Sequence, residues 1–378
     1  MTMKKTYRSR LIKLVALILP IVLFWLVAEN FLFYHTERNS DRFRRFYNEE
    51  PNSIDVVFLG ASEVFAGYAP GYAYDQFGYT SYIYVTDANV GSLYKPQLKE
   101  VLAHQEPQIV FVETFGFLRG NDTSLISEDR MRLFTESIPL SRNKVETVLE
   151  YPCDHKLSYF IPFLKYHAHP GLILDNIRAL INDPMYLDRK APSQLKGIST
   201  ICVSYDGPGD PGRPDDPAAH VLSPEAEAYL IDFLEYCKEE KLDNIVFINF
   251  PRYLENEADH DLMSLVAQVE KIAGEYGYPL VNLQGTNEVT GLDEKTDFYN
   301  SHHMNVYGQR KITKHIGNLV MNTYGITPTA QSPEAAANWQ AAARSTQEFF
   351  ELAERYIREG QAVTLQENEN VWIFRQNK

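Results

Sequence analysis

The sequence predicts an α/β fold: a doubly wound, mostly parallel sheet sandwiched by helices. Short runs of apolar residues recur along the chain, and such runs are typical of strands buried on both faces of a parallel sheet. In the second half of the chain these runs alternate with amphipathic helical patterns, as in α/β proteins. The strands are expected at "IDVVFLGAS" from Ile54, "QIVFVET" (108–114), "NIVFINF" (244–250) and "PLVNL" (279–283).

The chain opens with a basic and then an apolar segment. Five basic side chains from Lys4 to Lys13 flank an apolar stretch that is just long enough to span a bilayer when counted from Leu11. This flank predicts a cytoplasmic N-terminus, although four arginines from Arg38 to Arg45 weaken the asymmetry. Because "WLVAEN" offers no good cleavage site, an uncleaved transmembrane anchor is favoured over a signal peptide, and residues 1–35 are expected to comprise the cytoplasmic N-terminus and this anchor. Residues 36–52 are expected to be a charged connector.

Residues 53–326 are expected to form the α/β domain, and three amphipathic helices are predicted in its second half. The first has Ser223 as its cap and Pro224 in its first turn. The second follows the apolar spacing between Leu262 and Ile272. The third begins at about Gln309, and we expect Gly308 to provide the turn into it.

Two segments are expected outside this core. Residues 327–378 form a predicted helical tail, because the stretch from Ser332 to Gly360 is capped and rich in alanine. The stretch "SYDGPGDPGRPDDP" (204–217) is a predicted loop because of its proline and glycine content. Its aspartates lack the spacing and the terminal glutamate of an EF-hand, so a solvated loop is favoured over a calcium site.

The composition argues against several classes of protein. The chain has 36 basic and 50 acidic side chains and a formal charge of −14, so it lacks the concentrated positive charge that a nucleic-acid partner requires. Its three cysteines, Cys153, Cys202 and Cys237, are widely spaced and provide neither a disulfide framework nor a CxxC metal site. No cofactor and no metal are expected.

Two residues far apart in the chain are candidates for chemistry. Ser62 follows the first buried strand in "FLGASEVF", and His303 follows the last core strand. Ligands of an open α/β sheet bind at the carboxyl ends of its strands, so His303 could act there as the general base for Ser62. A helix cap and a surface histidine are the alternatives. A zinc site of His302, His303 and Asp297 is disfavoured, because adjacent residues rarely ligate one ion.

The segments around these two residues resemble known blocks. "FLGASEVFAGYAP" resembles the first block of the SGNH (GDSL-like) hydrolases, and "DFYNSHHMNVYGQRKIT" resembles the last. The resemblance implies that Ser62 is the nucleophile and His303 the base. Within that family the chain is similar to bacterial membrane-anchored proteins related to the D-alanyl-lipoteichoic-acid transfer protein, which are often paired with membrane-bound O-acyltransferases. "PLSRNKVE" and "YFIPFLKYHAHP" extend the similarity to about residues 50–325.

The sequence departs from this family at two polar positions. Members typically read Asp-x-x-His in the last block, where this chain has Asn300 in the acid position. In the serine-protease template that replacement lowers turnover by roughly 10⁴-fold, because the wrong histidine tautomer is held. Asp297 is the candidate to replace the acid; otherwise Ser62 and His303 would work as a dyad. Glu113 lies where the family presents an Asn, and a carboxylate donates a hydrogen bond only when protonated.

The expected oxyanion hole also departs from the family. Relatives usually place a glycine within the region "TSYIYVTDANVGSLY", and the corresponding positions here are Val85 and Ala88. Asn89 and Gly91 are therefore candidate oxyanion donors, together with the backbone of Ser62 at the start of a helix.

The leading hypothesis is a membrane-anchored serine esterase or O-acyltransferase outside the cytoplasm, acting on acyl esters of cell-envelope glycans through an acyl-Ser62 intermediate. The alternative is a catalytically degenerate relative that binds a glycan or partners a membrane-bound O-acyltransferase. At Asn300, at Glu113 and at the position of the missing glycine, this chain lacks a residue that contributes to catalysis in the family. A third possibility is a resemblance limited to the fold. The expected location is the cell membrane, with a single span.

Overall fold

The chain forms two compact units. The computed structural model describes residues 2–31, 40–118, 126–167, 192–210, 221–368 and 371–376, with single positions between 171 and 177. One unit consists of Met1–Glu37 and Val148–Arg189, and the other of Arg38–Thr147 and Lys190–Lys378. The second unit, called the body below, contains the sheets.

Within the described residues, the strands of the body form three sheets. In chain order they are β1 (Val56–Gly60), β2 (Ser81–Val85), β3 (Ile109–Glu113), β4 (Ser199–Ile201), β5 (Ile245–Asn249), β6 (Leu280–Asn282), β7 (Phe298–Asn300), β8 (His303–Met304), β9 (Val363–Asn368) and β10 (Val371–Gln376). Five strands pair in parallel in the order β2-β1-β3-β5-β6. The sheet therefore grows in both directions from β1, which confirms the predicted α/β fold. Antiparallel pairing joins β10-β9-β4 and β7-β8.

The four predicted apolar runs are all strands of the parallel sheet. Every residue of β1, β3 and β5 is buried, as the unbroken apolar character indicates. The strand β2 was not predicted, because its sequence SYIYV mixes polar atoms with apolar ones. Its tyrosines are nevertheless buried, and the Tyr82 hydroxyl donates a hydrogen bond to the carbonyl oxygen of Arg42 at 2.8 Å.

Helices lie before, between and after these strands. In chain order they are α1 (Thr2–Phe31), α2 (Ser40–Phe46), α3 (Ser62–Gly67), α4 (Pro70–Phe77), α5 (Tyr94–Leu102), α6 (Phe115–Leu118), α7 (Glu128–Ser137), α8 (Arg142–Glu150), α9 (Phe163–Tyr166), α10 (Pro224–Glu239), α11 (Glu257–Glu275), α12 (Asn287–Thr290), α13 (Val306–Asn318) and α14 (Pro333–Arg358). Ser223 and Ser332 cap α10 and α14, as the sequence predicts, by accepting the N–H groups of Ala226 and Ala335.

The role expected for Gly308 was wrong. Helix α13 begins at Val306, and Asn305 caps it by accepting the N–H of Tyr307, so Gly308 lies inside the helix. A Cβ atom at Gly308 would lie 2.5 Å from the carbonyl oxygen of Asp297. The glycine therefore allows the helix to pack closely on the loop that precedes β7.

The segment expected to be a connector belongs to the body. Phe43 and Phe46 of α2 are fully buried. Just after α2, Glu49 forms an ion pair with Lys196 at 2.6 Å, and both side chains are almost completely buried. The Lys196 ammonium lies 4.2 Å from the centre of the Trp339 ring on α14. Residues 40–52 are therefore part of the folded body, which corrects the expectation of a connector over residues 36–52.

The tail is helical only up to Arg358. Beyond α14 the chain forms β9, which pairs antiparallel with β4 so that Ile201 lies opposite Thr364 and Ser199 opposite Gln366. Val363 and Leu365 of β9 are buried in the core of the body. The predicted helix is confirmed, but the expectation of a wholly helical tail over residues 327–378 was wrong.

The smaller unit contains α1 and α9. Within it the rings of Trp25 and Phe163 pack edge to face, with centroids 5.0 Å apart. Large apolar side chains on α1 between Ile12 and Trp25 are exposed. In the described part of the chain, no helix has both the length and the apolar character needed to cross a membrane.

Candidate active site

A cavity of about 470 Å³ lies at the carboxyl edge of the parallel sheet, and both Ser62 and His303 line it. Its wall comes from the segments that follow β1, β2 and β3, from the β7-β8 hairpin, and from β4 and β9. The lining residues are Ser62, Phe65, Asp87, Ala88, Phe115, Ser199, Thr200, Ile201, Tyr299, Asn300, His302, His303, Thr364 and Gln366. The expectation that Ser62 and His303 meet at one edge of the sheet agrees with this geometry.

Ser62 is placed by a tight passage from β1 to α3. A Cβ atom on Gly60 would lie only 2.6 Å from the Cβ atom of Glu113, so the glycine lets the chain pass close to β3. Ser62 is the first residue of α3, and its hydroxyl donates a long hydrogen bond of 3.4 Å to Glu63 Oε2. This bond is weak, and the hydroxyl is partly exposed to the cavity.

His303 is held by the β7-β8 hairpin. Asn300 ends β7 and lies opposite His303, the first residue of β8. Asn300 Oδ1 accepts the backbone N–H of His302 at 3.1 Å and that of His303 at 2.9 Å, which closes the turn. The same oxygen lies 3.0 Å from His303 Nδ1. The Tyr299 ring is nearly parallel to the imidazole, with centroids 5.2 Å apart.

The other ring nitrogen of His303 is not engaged. Its Nε2 atom is buried and has no hydrogen-bond partner among the described residues. No hydrogen bond joins it to Ser62, whose hydroxyl donates to Glu63 instead. Catalytic hydrogen bonds are often long or misaligned before substrate binds, so this arrangement is compatible with a resting serine–histidine site.

The surroundings of His303 favour its neutral form. Burial lowers its pKa well below the ordinary 6.5, and the neighbouring His302 and the positive charge of Arg252 lower the pKa further, against a smaller opposing effect of Asp87. His303 is therefore unprotonated near neutral pH, as a general base must be.

Asp297 does not replace the missing acid in this structure. Its buried carboxylate accepts the Asp293 N–H at 2.7 Å and the Thr296 hydroxyl at 2.9 Å, and it forms an ion pair with Lys311 at 2.7 Å. These partners hold Asp297 in the loop before β7, and the group at His303 Nδ1 is Asn300. The suggestion that Asp297 orients the base is corrected accordingly.

Two of the three oxyanion candidates, Asn89 and Gly91, are not among the residues that line the cavity. The Asn89 side chain is buried and donates to Gln97 Oε1 at 2.8 Å, and Gly91 packs against Gly116. The residues of this loop that line the cavity are Asp87 and Ala88. Ala88 has a φ of +47°, a conformation that favours glycine. Ser62 is the candidate that remains in the cavity wall.

A buried charged cluster next to Ser62 was not predicted. Glu63 forms an ion pair with Arg252, and both side chains are almost completely buried. Glu113 accepts the N–H groups of Ala61 at 3.1 Å and Phe115 at 2.6 Å. Burial and the nearby charge of Glu63 raise the pKa of Glu113 well above its usual range, which favours the protonated form. The position of Arg252 just after β5, at the same edge, is the signal that sequence analysis could have used.

The wall formed by β4 and β9 was not predicted either. Side chains alternate along a strand, so Thr364 and Gln366 face the cavity while Val363 and Leu365 enter the core. No local pattern could reveal this pairing, because β4 and β9 are far apart in the chain.

Arg42 on α2 contacts residues of this cavity wall. Its guanidinium donates a hydrogen bond to Ser199 Oγ at 3.3 Å and lies 4.0 Å from the centre of the Phe65 ring.

The cavity offers no metal cluster within the described residues. Among them, no group of three or more His, Cys, Asp and Glu side chains is placed to hold an ion. The zinc alternative also loses Asp297, which pairs with Lys311. Of the aspartate-rich loop at 204–217, residues 211–217 lie outside the described residues.

Comparisons with known proteins add no family assignment. No protein-family model matches the chain, and no curated protein matches it.

Proposed function

We propose that this protein is a membrane-anchored serine esterase or O-acyltransferase outside the cytoplasm, acting on acyl esters of cell-envelope glycans. The observation that carries the proposal is that Ser62 and His303 line one cavity at the carboxyl edge of the sheet, where His303 Nε2 has no hydrogen-bond partner among the described residues. Burial lowers the pKa of His303, which favours the neutral form of a general base. The resemblance of the segments around these residues to SGNH hydrolases supports the same reading.

The chemistry would proceed through an acyl-enzyme. The Ser62 hydroxyl turns from Glu63 and attacks the acyl carbonyl carbon while its proton passes to His303 Nε2. His303 returns that proton to the oxygen of the departing alcohol, and the acyl–oxygen bond to that alcohol breaks. Water or a sugar hydroxyl then attacks the acyl-Ser62 ester and gives its proton to His303, which returns it to Ser62.

The size and lining of the cavity suit such a substrate. A volume of about 470 Å³ can hold one sugar unit with a short acyl group. The rings of Phe65, Phe115 and Tyr299 provide apolar surface. The side chains of Thr364 and Gln366 on β9 provide hydrogen-bonding groups. These polar groups would orient the acceptor hydroxyl.

The membrane anchor stays part of the proposal. It is supported by the basic flank before the apolar segment and by the exposed apolar side chains of α1. Insertion of the full chain into membranes, with protease accessibility of the body measured from each side, would test both the anchor and its orientation.

Labelling of the purified full chain with a serine-reactive fluorophosphonate tests the enzyme. The wild type should be labelled, Ser62→Ala should lose the label, and His303→Gln should be labelled at least about 10²-fold more slowly, since a general base contributes about 10²–10⁴-fold. Ser345→Ala, which changes a serine on α14, is the matched control. Equal labelling of wild type and Ser62→Ala would contradict the proposal.

A second candidate function is glycan binding without catalysis. It is favoured by the hydrogen bond of Ser62 to Glu63 in place of His303, and by Glu113, whose two carboxyl oxygens both accept backbone N–H groups at the position of an expected donor. Such a protein would bind an O-acetylated oligosaccharide in calorimetry while showing no labelling, and it could present that glycan to a membrane-bound O-acyltransferase.

A further inference from the structure

We infer that Asn300 is the residue that positions the base: it holds His303 in the tautomer with the proton on Nδ1 and leaves Nε2 free to accept a proton. The tautomer follows from the hydrogen bonds alone, and its use in catalysis rests on the proposed function. The position that looks like a lost acid would then still perform one of the two tasks of the acid.

The orientation of the Asn300 amide is fixed by the backbone. Two main-chain N–H groups, those of His302 and His303, donate to one side-chain atom of Asn300 at 3.1 and 2.9 Å. An amide nitrogen carries only donors and cannot accept them, so this atom must be the oxygen. A flipped amide would place its NH₂ group against both N–H groups and lose both bonds.

The protonation of the imidazole follows from that orientation. His303 Nδ1 lies 3.0 Å from the same oxygen, which has no hydrogen to donate, so Nδ1 must be the donor. A neutral imidazole has one N–H, and Nε2 therefore carries the lone pair. The nearly parallel Tyr299 ring restricts rotation of the imidazole out of this plane.

This arrangement differs from the serine-protease template, in which an asparagine in place of the acid holds the wrong tautomer. There the amide can turn its NH₂ group towards the histidine. In this chain two backbone N–H groups of the hairpin donate to the amide oxygen. The amide cannot rotate without breaking these bonds and opening the turn at residues 300–303.

Asn300 cannot perform the second task, because it has no charge to stabilise an imidazolium. The charged or titratable groups around His303 are His302 beside it, Arg252 after β5, Asp87 after β2, and Glu63 of α3, which pairs with Arg252. Burial, the neighbouring His302 and the cation of Arg252 lower the pKa of His303. We therefore expect a base that stays unprotonated below pH 6.5 and turns over slowly.

Nitrogen NMR of full-length protein labelled with ¹⁵N-histidine reads the tautomer directly, with or without catalysis. The His303 signals are assigned by their absence in His303→Gln. We expect a protonated Nδ1 and an unprotonated Nε2 in the wild type at pH 7. A proton on Nε2 would overturn the inference, even if Ser62 reacts with the fluorophosphonate. The expected tautomer in a protein whose Ser62 never reacts would keep the inference and remove the serine-enzyme proposal.

Two variants separate positioning from a structural role. Asn300→Asp keeps the acceptor and adds a negative charge, so His303 should keep its proton on Nδ1. The charge should raise the pKa of His303, and the loss of the labelling rate on acidification should therefore begin at higher pH. Asn300→Leu removes the acceptor, and labelling at pH 7 should fall at least tenfold with a mixed tautomer. An unchanged tautomer and pH profile in a folded Asn300→Leu protein would contradict the role of Asn300. If that variant fails to fold, the wild-type spectrum still decides.

Discussion

The two sides of the cavity are held by different kinds of interaction. On the base side, neutral groups bind the backbone: Asn300 Oδ1 accepts two main-chain N–H groups, and Asn305 Nδ2 donates to the carbonyl oxygens of Thr296 at 2.7 Å and Val203 at 3.0 Å. On the nucleophile side, Ser62 lies beside the buried Glu63–Arg252 ion pair and Glu113. Backbone hydrogen bonds can preserve geometry after a charge is lost, whereas buried charges depend on one another.

Arg252→Met should produce the largest effect, and it tests the nucleophile side. The substitution leaves Glu63 buried without its cation, and the loss of one partner of a buried ion pair costs about 3–5 kcal/mol. Urea denaturation of the full chain measures the change in the free energy of unfolding. Arg252→Lys should lose less, and adding Glu63→Gln to Arg252→Met should recover part of the loss. A loss below about 1 kcal/mol, the range of surface pairs, would show that this pair is not buried as described.

Asp297→Asn should produce an intermediate effect, and it tests the division of roles on the base side. The buried carboxylate loses its charge opposite Lys311 and one acceptor, so the free energy of unfolding should fall by about 1–3 kcal/mol. The labelling rate of the folded protein and its pH profile should not change, because Asp297 does not contact His303. Asp293→Asn, at an exposed position of the same loop, is the control. A shifted pH profile in Asp297→Asn would show that Asp297 acts on the base after all.

Ala88→Gly should produce the smallest effect, and it tests strain on the nucleophile side. Ala88 has a left-handed conformation, which costs a residue other than glycine about 1–2 kcal/mol, and glycine would remove this cost. Glycine also has more conformational freedom in the unfolded chain, which lowers the stability of the folded protein by about 0.5–1 kcal/mol. The variant should therefore be more stable by up to about 1 kcal/mol in thermal or urea denaturation. Ala103→Gly, at a residue with an ordinary φ of −72°, should be destabilised instead. Equal losses in both variants would mean that Ala88 is not strained.

The parts of the structure that depend on local pattern were predictable. Continuous apolar runs identified β1, β3, β5 and β6, and the rule that parallel strands end at one edge brought Ser62 and His303 together. The partner of His303 was not predictable, because Asn300 and Asp297 both lie within reach along the chain and only the hydrogen bonds decide between them. The wall from β9 was not predictable, because it depends on pairing between distant segments.

The position of β9 also bears on when the protein can work during its biosynthesis. Ser62 emerges early from the ribosome, whereas Thr364 and Gln366 are among the last of the cavity residues to be made. A nascent chain that has not reached these residues would have its nucleophile in place and one wall of the cavity missing. Under the proposed function, acceptor selectivity is therefore expected to appear only after β9 has paired with β4.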